Sequence, residues 1–513
     1  MIEFDINNFK DIPTWELICS GRTKGVFQLE SGLGKHWSKK IKPRSIKELS
    51  DLISLIRPGT LQAISKGKSM TQHYVDRKSG IDAVEYPHES LKEFLEDTYG
   101  ILCYQEQAMI IVQKLGGFSL VEADILRKAI GKKKADLMNE MKDLFISGAE
   151  KTGIISKDIA KEIFSWIEKS ARYQFNKSHS VCYAIDAYWS AYCKTHKPLK
   201  FYVTYLNHSD KKPDQHQEVK ELVMDAKSFG IETYPPRLNH LYTNFTSIDD
   251  KIYYGLRHIK NVGSIECEKI QSVKTMYNVS NFTWMDCLIK IIYRGGINKR
   301  AAIALISVGA FNGANNKNSR QKMLYEYNSW CQLSDREQEC IAKNYKSDQE
   351  LFEIVSNIPN LIKINAKRMT SFLDILESIN CPLYDLEEKT RDLVDFENKF
   401  LGVSLTCSNS DAVKIQTNIC SDVINGTIIG KISLCISITQ IKIYKTKKGK
   451  NPGREMAFLT GEDSSGELDS MTIFPETYEK YKDLLLENNS VVIFGEVSKK
   501  DKNSVIVNKI IQI

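Results

Sequence analysis

The hydrophobic period of this chain changes partway along it, and that change restricts the fold more than any other feature. Between residues 91 and 229 apolar side chains return every three or four positions, marking helices over residues 104–115, 120–129, 135–152, 157–175, about 183–194 and about 215–229. Over the last hundred residues the period drops to two, at 427–439 and 456–460, with glycines between and one helical stretch at 475–487. A helical stripe and a strand face demand different spacings. The chain therefore needs at least two kinds of core: a large helical domain ending near Pro235-Pro236, and a small terminal β-barrel of the OB type.

Ahead of residue 91 the pattern is irregular, with turn signals at Gly21, Gly32, Pro43, Pro58-Gly59 and Gly80, which predicts a loop-rich module with a few short helices. A short extended piece at 251–256 precedes more helix to about Phe311, and residues 312–400 are polar without a clear period. At 513 residues the chain is expected to form three or four units.

The net charge of +7 is small for this length, so its distribution carries the information. Residues 22–78 hold thirteen Lys or Arg against four Asp or Glu, and residues 441–454 hold six basic residues and no acid. Local excesses of this kind suit phosphate binding, and equally suit a solvated face. No apolar run approaches the length of a membrane span and the N-terminus is not a signal sequence, so a cytoplasmic protein without membrane contact is expected. The twelve cysteines are scattered without a CxxC pair and the nine histidines form no HExxH, which argues against structural zinc and a disulfide scaffold. Gly67-Lys68-Ser69 ends like a phosphate-binding loop, but Gln62 stands where the earlier glycine is required.

Several blocks are more specific. Thr23-Lys24-Gly25-Val26-Phe27-Gln28-Leu29-Glu30-Ser31, Ile56-Arg57-Pro58-Gly59, Tyr99-Gly100-Ile101-Leu102-Cys103-Tyr104-Gln105-Glu106-Gln107, Ala123-Asp124-Ile125-Leu126-Arg127-Lys128-Ala129-Ile130-Gly131-Lys132-Lys133, Phe175-Asn176-Lys177-Ser178-His179-Ser180 and Ala191-Tyr192-Cys193-Lys194-Thr195-His196-Lys197-Pro198 occur in that order. Together they resemble the fingers of the bacterial C-family replicative DNA polymerases, the DNA polymerase III alpha subunits. Tyr254-Gly255-Leu256 and Ile259-Lys260-Asn261-Val262-Gly263 are similar to that family's helix-hairpin-helix region. Phe396-Glu397-Asn398-Lys399-Phe400-Leu401-Gly402 and Met456-Ala457-Phe458-Leu459-Thr460 resemble the approach to its OB domain and the first strands.

The resemblance implies a multidomain, mainly α-helical chain followed by the barrel: a linker over 1–21, fingers over 22–236, a helical helix-hairpin-helix and clamp-binding region over 237–400, and an OB fold over 401–513. Family members carry a PHP domain, palm and thumb before this region, and palm aspartates bind the catalytic Mg²⁺. Asp5 is the one residue here comparable with such an aspartate, and its surroundings fit a spacer better. The expectation is a DNA-directed DNA polymerase subunit, inactive alone, whose palm arrives on another polypeptide, as a split phage gene would produce. The alternative is a non-catalytic DNA-binding accessory or polymerase remnant.

For site residues, the resemblance places Arg57, Arg127, Lys128, Lys132, Asn176, Lys177 and His179 on the incoming dNTP. Residues 127–134 contain no acid, and Gly131 leaves room for a phosphate. An ordinary salt bridge at Arg57, a solvated helix end at 127–134 and a helix cap at Asn176 are the structural alternatives. DNA is assigned to Lys133, Lys134, Lys260 and Gly263, and to Tyr444, Lys445, Lys447, Lys448 and Arg454 in the tail. Leu351 and Phe352 in Asp348-Gln349-Glu350-Leu351-Phe352 supply the hydrophobic pair of a sliding-clamp motif, with aspartate in place of the usual glutamine. A buried helical pair is the competing reading.

Overall fold

The computed structural model describes residues 8–132, 135–171, 173–382, 386–407, 417–446, 452–463, 465–487, 489–499 and 504–512. Asp5, Lys133, Lys134, Lys447 and Lys448 lie outside the described residues, as does the side chain of Lys132. The chain divides into two compact units, one ending at Pro198 and the other starting at Leu199.

The first unit opens with short helices α1 (Ile12–Ser20), α2 (Gly32–Ile41), α3 (Ile46–Leu55), α4 (Pro58–Gln62) and α5 (Met70–Lys78), with a minimal hairpin of β1 (Ile64–Ser65) and β2 (Lys68–Ser69) between the last two. Local caps set their ends: Asp11, Ser31, Ser45 and Ser69 each accept a first-turn N–H, and Gly21 leaves α1 in the left-handed region. After α6 (Lys92–Leu95) the helices lengthen to α7 (Gln105–Gly116), α8 (Leu120–Lys132), α9 (Ala135–Thr152), α10 (Lys157–Ser170) and α11 (Lys177–His196). Leu115, Leu126, Phe145, Phe164 and Ile167 meet in one buried cluster that joins α7 to α10. The α7–α9 crossing is close enough to demand glycine, since a Cβ on Gly148 would stand 1.9 Å from the Gly116 carbonyl oxygen.

Two expectations are corrected at the end of this unit. Helix α10 stops at Ser170 rather than 175, and α11 begins at Lys177 rather than near 183. Phe175 instead runs extended beside Tyr104: its N–H donates to the Cys103 carbonyl at 2.8 Å and its carbonyl accepts from Gln105 N–H at 2.9 Å.

The second unit contains α12 (Pro198–Asn207) from Leu199 on, and α13 (Gln215–Ser228). Tyr202, Leu206, Leu222 and Val223 of these helices belong to the second unit's core, so the division falls inside the segment read as fingers to residue 236. A three-stranded sheet of β3 (Thr233–Tyr234), β4 (Thr246–Ile248) and β5 (Lys251–Tyr253) follows. Next come α14 (Ser264–Met276), α15 (Trp284–Asp286), running on into a π-helical turn over Cys287–Tyr293, and α16 (Lys299–Ser307). The polar stretch that gave no period forms α17 (Arg320–Trp330), α18 (Asp335–Asn344), α19 (Leu351–Leu361), α20 (Ala366–Asn380) and α21 (Thr390–Leu401).

The tail holds α22 (Cys420–Ile424), β6 (Lys431–Lys445), β7 (Glu455–Asp463), β8 (Gly466–Ile473), α23 (Pro475–Tyr481), β9 (Ser490–Val497) and β10 (Val505–Gln512). The strands close into a barrel in the order β10-β8-β7-β6-β9, antiparallel except for the parallel β10–β8 pair, which is an OB-type arrangement. Inward residues such as Leu434, Leu459, Met471 and Ile493 fill it. Among the described residues no helix is long and apolar enough to cross a membrane.

Candidate nucleotide and nucleic-acid interface

The turn between α10 and α11 is fixed from three directions. Asn176 is the N-cap of α11, its Oδ1 accepting His179 N–H at 2.8 Å and the Ser178 hydroxyl at 2.7 Å. The Lys177 N–H donates to Glu106 Oε2 at 2.9 Å, which ties the turn to the start of α7. Ser180 Oγ donates to the Ser50 carbonyl at 2.7 Å and lies 2.8 Å from Ser54 Oγ, locking α11 onto α3. Asn176 thus spends its side chain on the cap, while Lys177 and His179 stay exposed.

Arg57 meets this turn through its face. Its Cζ lies 3.5 Å from the centroid of the Phe175 ring, and it forms no ion pair among the described residues. A guanidinium stacked on an aromatic ring keeps its in-plane N–H donors for an outside acceptor, so the salt-bridge alternative is not what the fold builds. Burial against the ring pulls its pKa below the usual value, and Arg remains charged. Aromatic contacts continue from Phe175 to His179 at 5.4 Å, to Tyr183 at 4.0 Å and to half-exposed Phe27 at 5.0 Å. This series of rings, with His179 and Tyr183 on consecutive turns of α11 and Phe175 and Phe27 at either end, is suited to base stacking.

Arg127 and Lys128 have an acidic neighbour just outside their run. The run from 127 is acid-free, but one turn earlier Asp124 takes both cations, with Arg127 Nη2 2.8 Å from Oδ1 and Lys128 Nζ 2.8 Å from Oδ2. Lys128 and then Arg127 hold the Asp124 carboxyl below its ordinary range. The local charge is +1 rather than +2, and the cations are oriented rather than loose. Gly131, farther along α8, faces the start of α7: a Cβ there would lie 3.8 Å from Gln105 Nε2. The end of α8 and the 175–179 turn therefore both adjoin the first residues of α7.

Sequence reasoning missed residues that shape this site. Lys194, fully buried, donates to the carbonyls of Arg22 at 2.9 Å and Lys24 at 2.8 Å, wrapping the 22–31 segment around α11. Asp51, also buried, accepts the hydroxyls of Tyr104 at 2.7 Å and Tyr74 at 2.8 Å. Burial pushes its carboxyl up to about 6 against the lowering effect of those bonds. Residue spacing gave no signal for either; Lys194 appeared only within a resembling block.

In the second unit, the expected hairpin around Gly263 turns at a different residue. Asn261 has φ of 73°, the left-handed conformation that asparagine tolerates best after glycine, whereas Gly263 is extended at φ −91° and is the N-cap of α14. Lys260 is exposed, its N–H held by the Phe400 carbonyl at 2.9 Å. A second hairpin stands beside the first: Gly296 has φ of 68°, Asn298 caps α16, and Lys299 and Arg300 are exposed. Asn298 Nδ2 donates to Glu266 Oε1 at 2.6 Å and Lys269 Nζ to the Gly296 carbonyl at 2.6 Å, joining the two.

On the barrel, Tyr444 is half-exposed and packs edge-on against Phe458 at 5.4 Å. Lys442 pairs across from Phe458 and Tyr444 across from Met456, so these side chains share one face of the β6–β7 ribbon. Lys445 and Arg454 are exposed at its open end, where Thr446 N–H donates to the Arg454 carbonyl at 2.9 Å. Leu351 and Phe352 fall in the first turn of α19, with Leu351 fully buried in the second unit's core and Phe352 partly buried. A clamp-binding peptide must offer its hydrophobic pair to a partner, and this turn gives Leu351 to its own core.

Residues 2–153 match the family model of the bacterial DNA polymerase III alpha subunit finger domain, and residues 230–323 match a helix-hairpin-helix motif. The chain is 31% identical over 523 aligned positions to the DNA polymerase III subunit alpha of Borreliella burgdorferi, covering 100% of this chain and 42% of that protein. It is 34% identical to the Aquifex aeolicus subunit, covering 95% and 38%, and 30% identical to that of Escherichia coli K12, covering 96% and 40%. The chain thus spans about two fifths of the length of these relatives. With the helical fingers, the paired hairpins and the OB-type barrel in the family's order, this chain belongs to the C-family replicative DNA polymerases, of which it represents the stretch from fingers to barrel.

Proposed function

We propose that this chain is the fingers and DNA-binding part of a DNA-directed DNA polymerase, which holds the incoming dNTP and the primer–template while a palm-bearing polypeptide carries out nucleotidyl transfer. The observation that carries this reading is the Arg57 guanidinium stacked on Phe175, without an ion-pair partner among the described residues, close to the turn that presents Lys177 and His179. Phosphoryl transfer is catalysed by positioning and by neutralising the triphosphate as charge moves to pyrophosphate. Arg57, Lys177, Arg127 and Lys128 supply cations for that task, and Lys132 belongs to the same assignment. His179 and the neighbouring rings give a surface for the base, while Asn176 holds the turn in shape.

Among the described residues no group of three His, Cys, Asp or Glu side chains is placed to hold a metal. The Mg²⁺ ligands are assigned, on the family resemblance, to the palm together with the dNTP, where the ion would supply Lewis-acid stabilisation of the transferring phosphoryl group. The paired hairpins around Lys260, Gly263 and Asn298 are assigned to duplex backbone. Tyr444, Phe458, Lys445 and Arg454, with Lys447 and Lys448 next in the sequence and Lys133 and Lys134 following α8, are assigned to the strands beyond it. A sliding-clamp contact through Leu351 and Phe352 would require the first turn of α19 to open, so it is not part of this reading.

The test is direct. The purified chain should bind primer–template in a salt-dependent manner and incorporate no nucleotide with Mg²⁺, and should gain incorporation when combined with a family palm and thumb. Extension by the chain alone, in a preparation free of other polymerases, would overturn the division of labour. Binding without any gain on adding the palm would favour a non-catalytic DNA-binding accessory.

A further inference from the structure

The nucleotide-site reading places Lys177 at the triphosphate, and the fold beneath Lys177 is unusual in its chemistry. Its ammonium lies 5.6 Å from the centroid of the Tyr104 ring and forms no ion pair among the described residues. The Tyr104 hydroxyl is 2.7 Å from Asp51 Oδ1 and 2.9 Å from Ser50 Oγ, and the Tyr74 hydroxyl occupies Asp51 Oδ2 at 2.8 Å. Asp51 is 1% exposed and is the one charged residue on the buried face of its helix, beside Leu49, Leu52, Ile53 and Leu55 and the hydroxyls of Ser50 and Ser54.

A carboxylate in such a place costs several kcal/mol to desolvate, and a packed apolar residue would stabilise the fold more cheaply. The groups that face it are Lys47 from α3, Tyr74 from α5, Tyr99, Cys103 and Tyr104 from the segment before α7, and Lys177 from α11, while Glu48 faces Tyr74 and Tyr99. Of the two cations, Lys47 is engaged by Asp97, which leaves Lys177 as the charge that Asp51 can steer.

We propose that Asp51 is a positioning residue of the nucleotide site: by hydrogen-bonding Tyr104 it fixes the ring over which the Lys177 ammonium rests, and so sets where that cation meets the triphosphate. This rests on the function proposed above. Asp51 touches no substrate; it acts through one tyrosine. The carboxylate suits the task because each of its oxygens accepts from one tyrosine hydroxyl, whereas an amide accepts on one oxygen and would have to donate to the other tyrosine, which reverses that bond. The Tyr104–Phe175 bridge and the Lys177–Glu106 bond fix the backbone at the same point, so only the long lysine side chain is left to be oriented.

Lysine labelling of the whole chain by pyridoxal 5′-phosphate, trapped with borohydride and mapped by mass spectrometry, tests this with inorganic tripolyphosphate as the protecting ligand. Lys177 and Lys128 report on the site, and exposed Lys114 near the far end of α7 is the control. In the wild-type chain Lys177 should be labelled and protected by tripolyphosphate, and Lys114 should not be protected. In Asp51→Asn and Tyr104→Phe the protection constant at Lys177 should weaken about fivefold or more, with Lys128 protection retained, as expected for loss of a contact worth about 1 kcal/mol. Tyr104→Phe removes a single hydroxyl and keeps Asp51, so it decides the matter if Asp51→Asn fails to fold. Unprotected Lys177 in the wild type would sink the nucleotide-site reading. Full protection in the wild type and in Tyr104→Phe would overturn the role of Asp51 alone. Loss of protection at Lys128 together with Lys177 would also overturn it, because the variants would then have loosened the site as a whole.

Discussion

Replacing Arg127 with alanine removes a guanidinium already engaged by Asp124, so the outcome depends on three residues rather than one. In the wild type, two cations and one carboxylate leave a local charge of +1. Arg127→Ala or Lys128→Ala brings it to zero, the double variant to −1, and Asp124→Asn raises it to +2. A charge-assisted contact with the triphosphate contributes about 1.5–3 kcal/mol, so each single alanine variant should lose about tenfold to a hundredfold in incorporation efficiency. The double variant should lose more than either, because a bare Asp124 then faces the phosphates. Adding Asp124→Asn to the double variant should recover part of that loss, which simple removal of packing would not allow. The assay is single-turnover incorporation over a range of nucleotide concentrations with a palm supplied, with primer–template affinity measured separately. Wild-type nucleotide dependence in the double variant would refute the reasoning, and a defect confined to DNA affinity would move these residues to the template backbone.

On the barrel, Tyr444→Ala and Phe458→Ala should each weaken single-stranded DNA binding by about 1–3 kcal/mol, whereas Lys445→Ala should lower the salt slope by about 0.7; titrations at several salt concentrations separate the two effects. Gly148→Ala should destabilise the first unit by about 1–3 kcal/mol in urea unfolding, because the added methyl meets the immovable Gly116 carbonyl and outweighs any gain in helix propensity. Asp51 makes stability pH-dependent with a defined sign. Its carboxyl titrates at about 6 in the fold against 3.8 in the unfolded chain, so the folded state takes up its proton first and stability falls as pH rises from about 4 through 6, by about 3 kcal/mol for this group. The stability difference between pH 4.5 and 7.5 should shift by about 2 kcal/mol in Asp51→Asn, and an unchanged profile would show that the carboxyl is not so perturbed.

Helices α7, α8, α9 and α13 were legible because one apolar face alternates with one polar face over several turns, and the barrel strands because their inner and outer residues alternate. Residues 312–400 were not, because their core holds charge. Arg320 pairs with Glu397 at 2.9 Å, both nearly fully buried, and Glu337, also buried, pairs with Arg368 at 2.6 Å. Such pairs put polar letters at core positions, and the helices there begin at caps such as Ser319, Ser334 and Asn365 rather than at a visible change of period. At the site, Arg57 and the 175–179 block were identified by resemblance to a family. What Arg57 stacks on, and why α10 stops at Ser170, depend on the pairing of Phe175 with Cys103 and Tyr104, about seventy residues before it. The Asp124 pairing is within reach of sequence reasoning, since the spacing to Arg127 and Lys128 is that of helix neighbours, but it lies one turn before the acid-free segment 127–134.

The central claim, that the first unit receives the incoming nucleotide, is tested most directly by photo-crosslinking an azido-dATP to this chain on primer–template DNA with a palm supplied, and mapping the attached peptides. Crosslinks are expected in the peptides that contain Arg57, Arg127–Lys128 and Phe175–Tyr183, competed by unlabelled dATP and reduced in Arg57→Ala. Crosslinks confined to the hairpins around Lys260 and Asn298 or to the barrel, with the first unit unmarked, would contradict it.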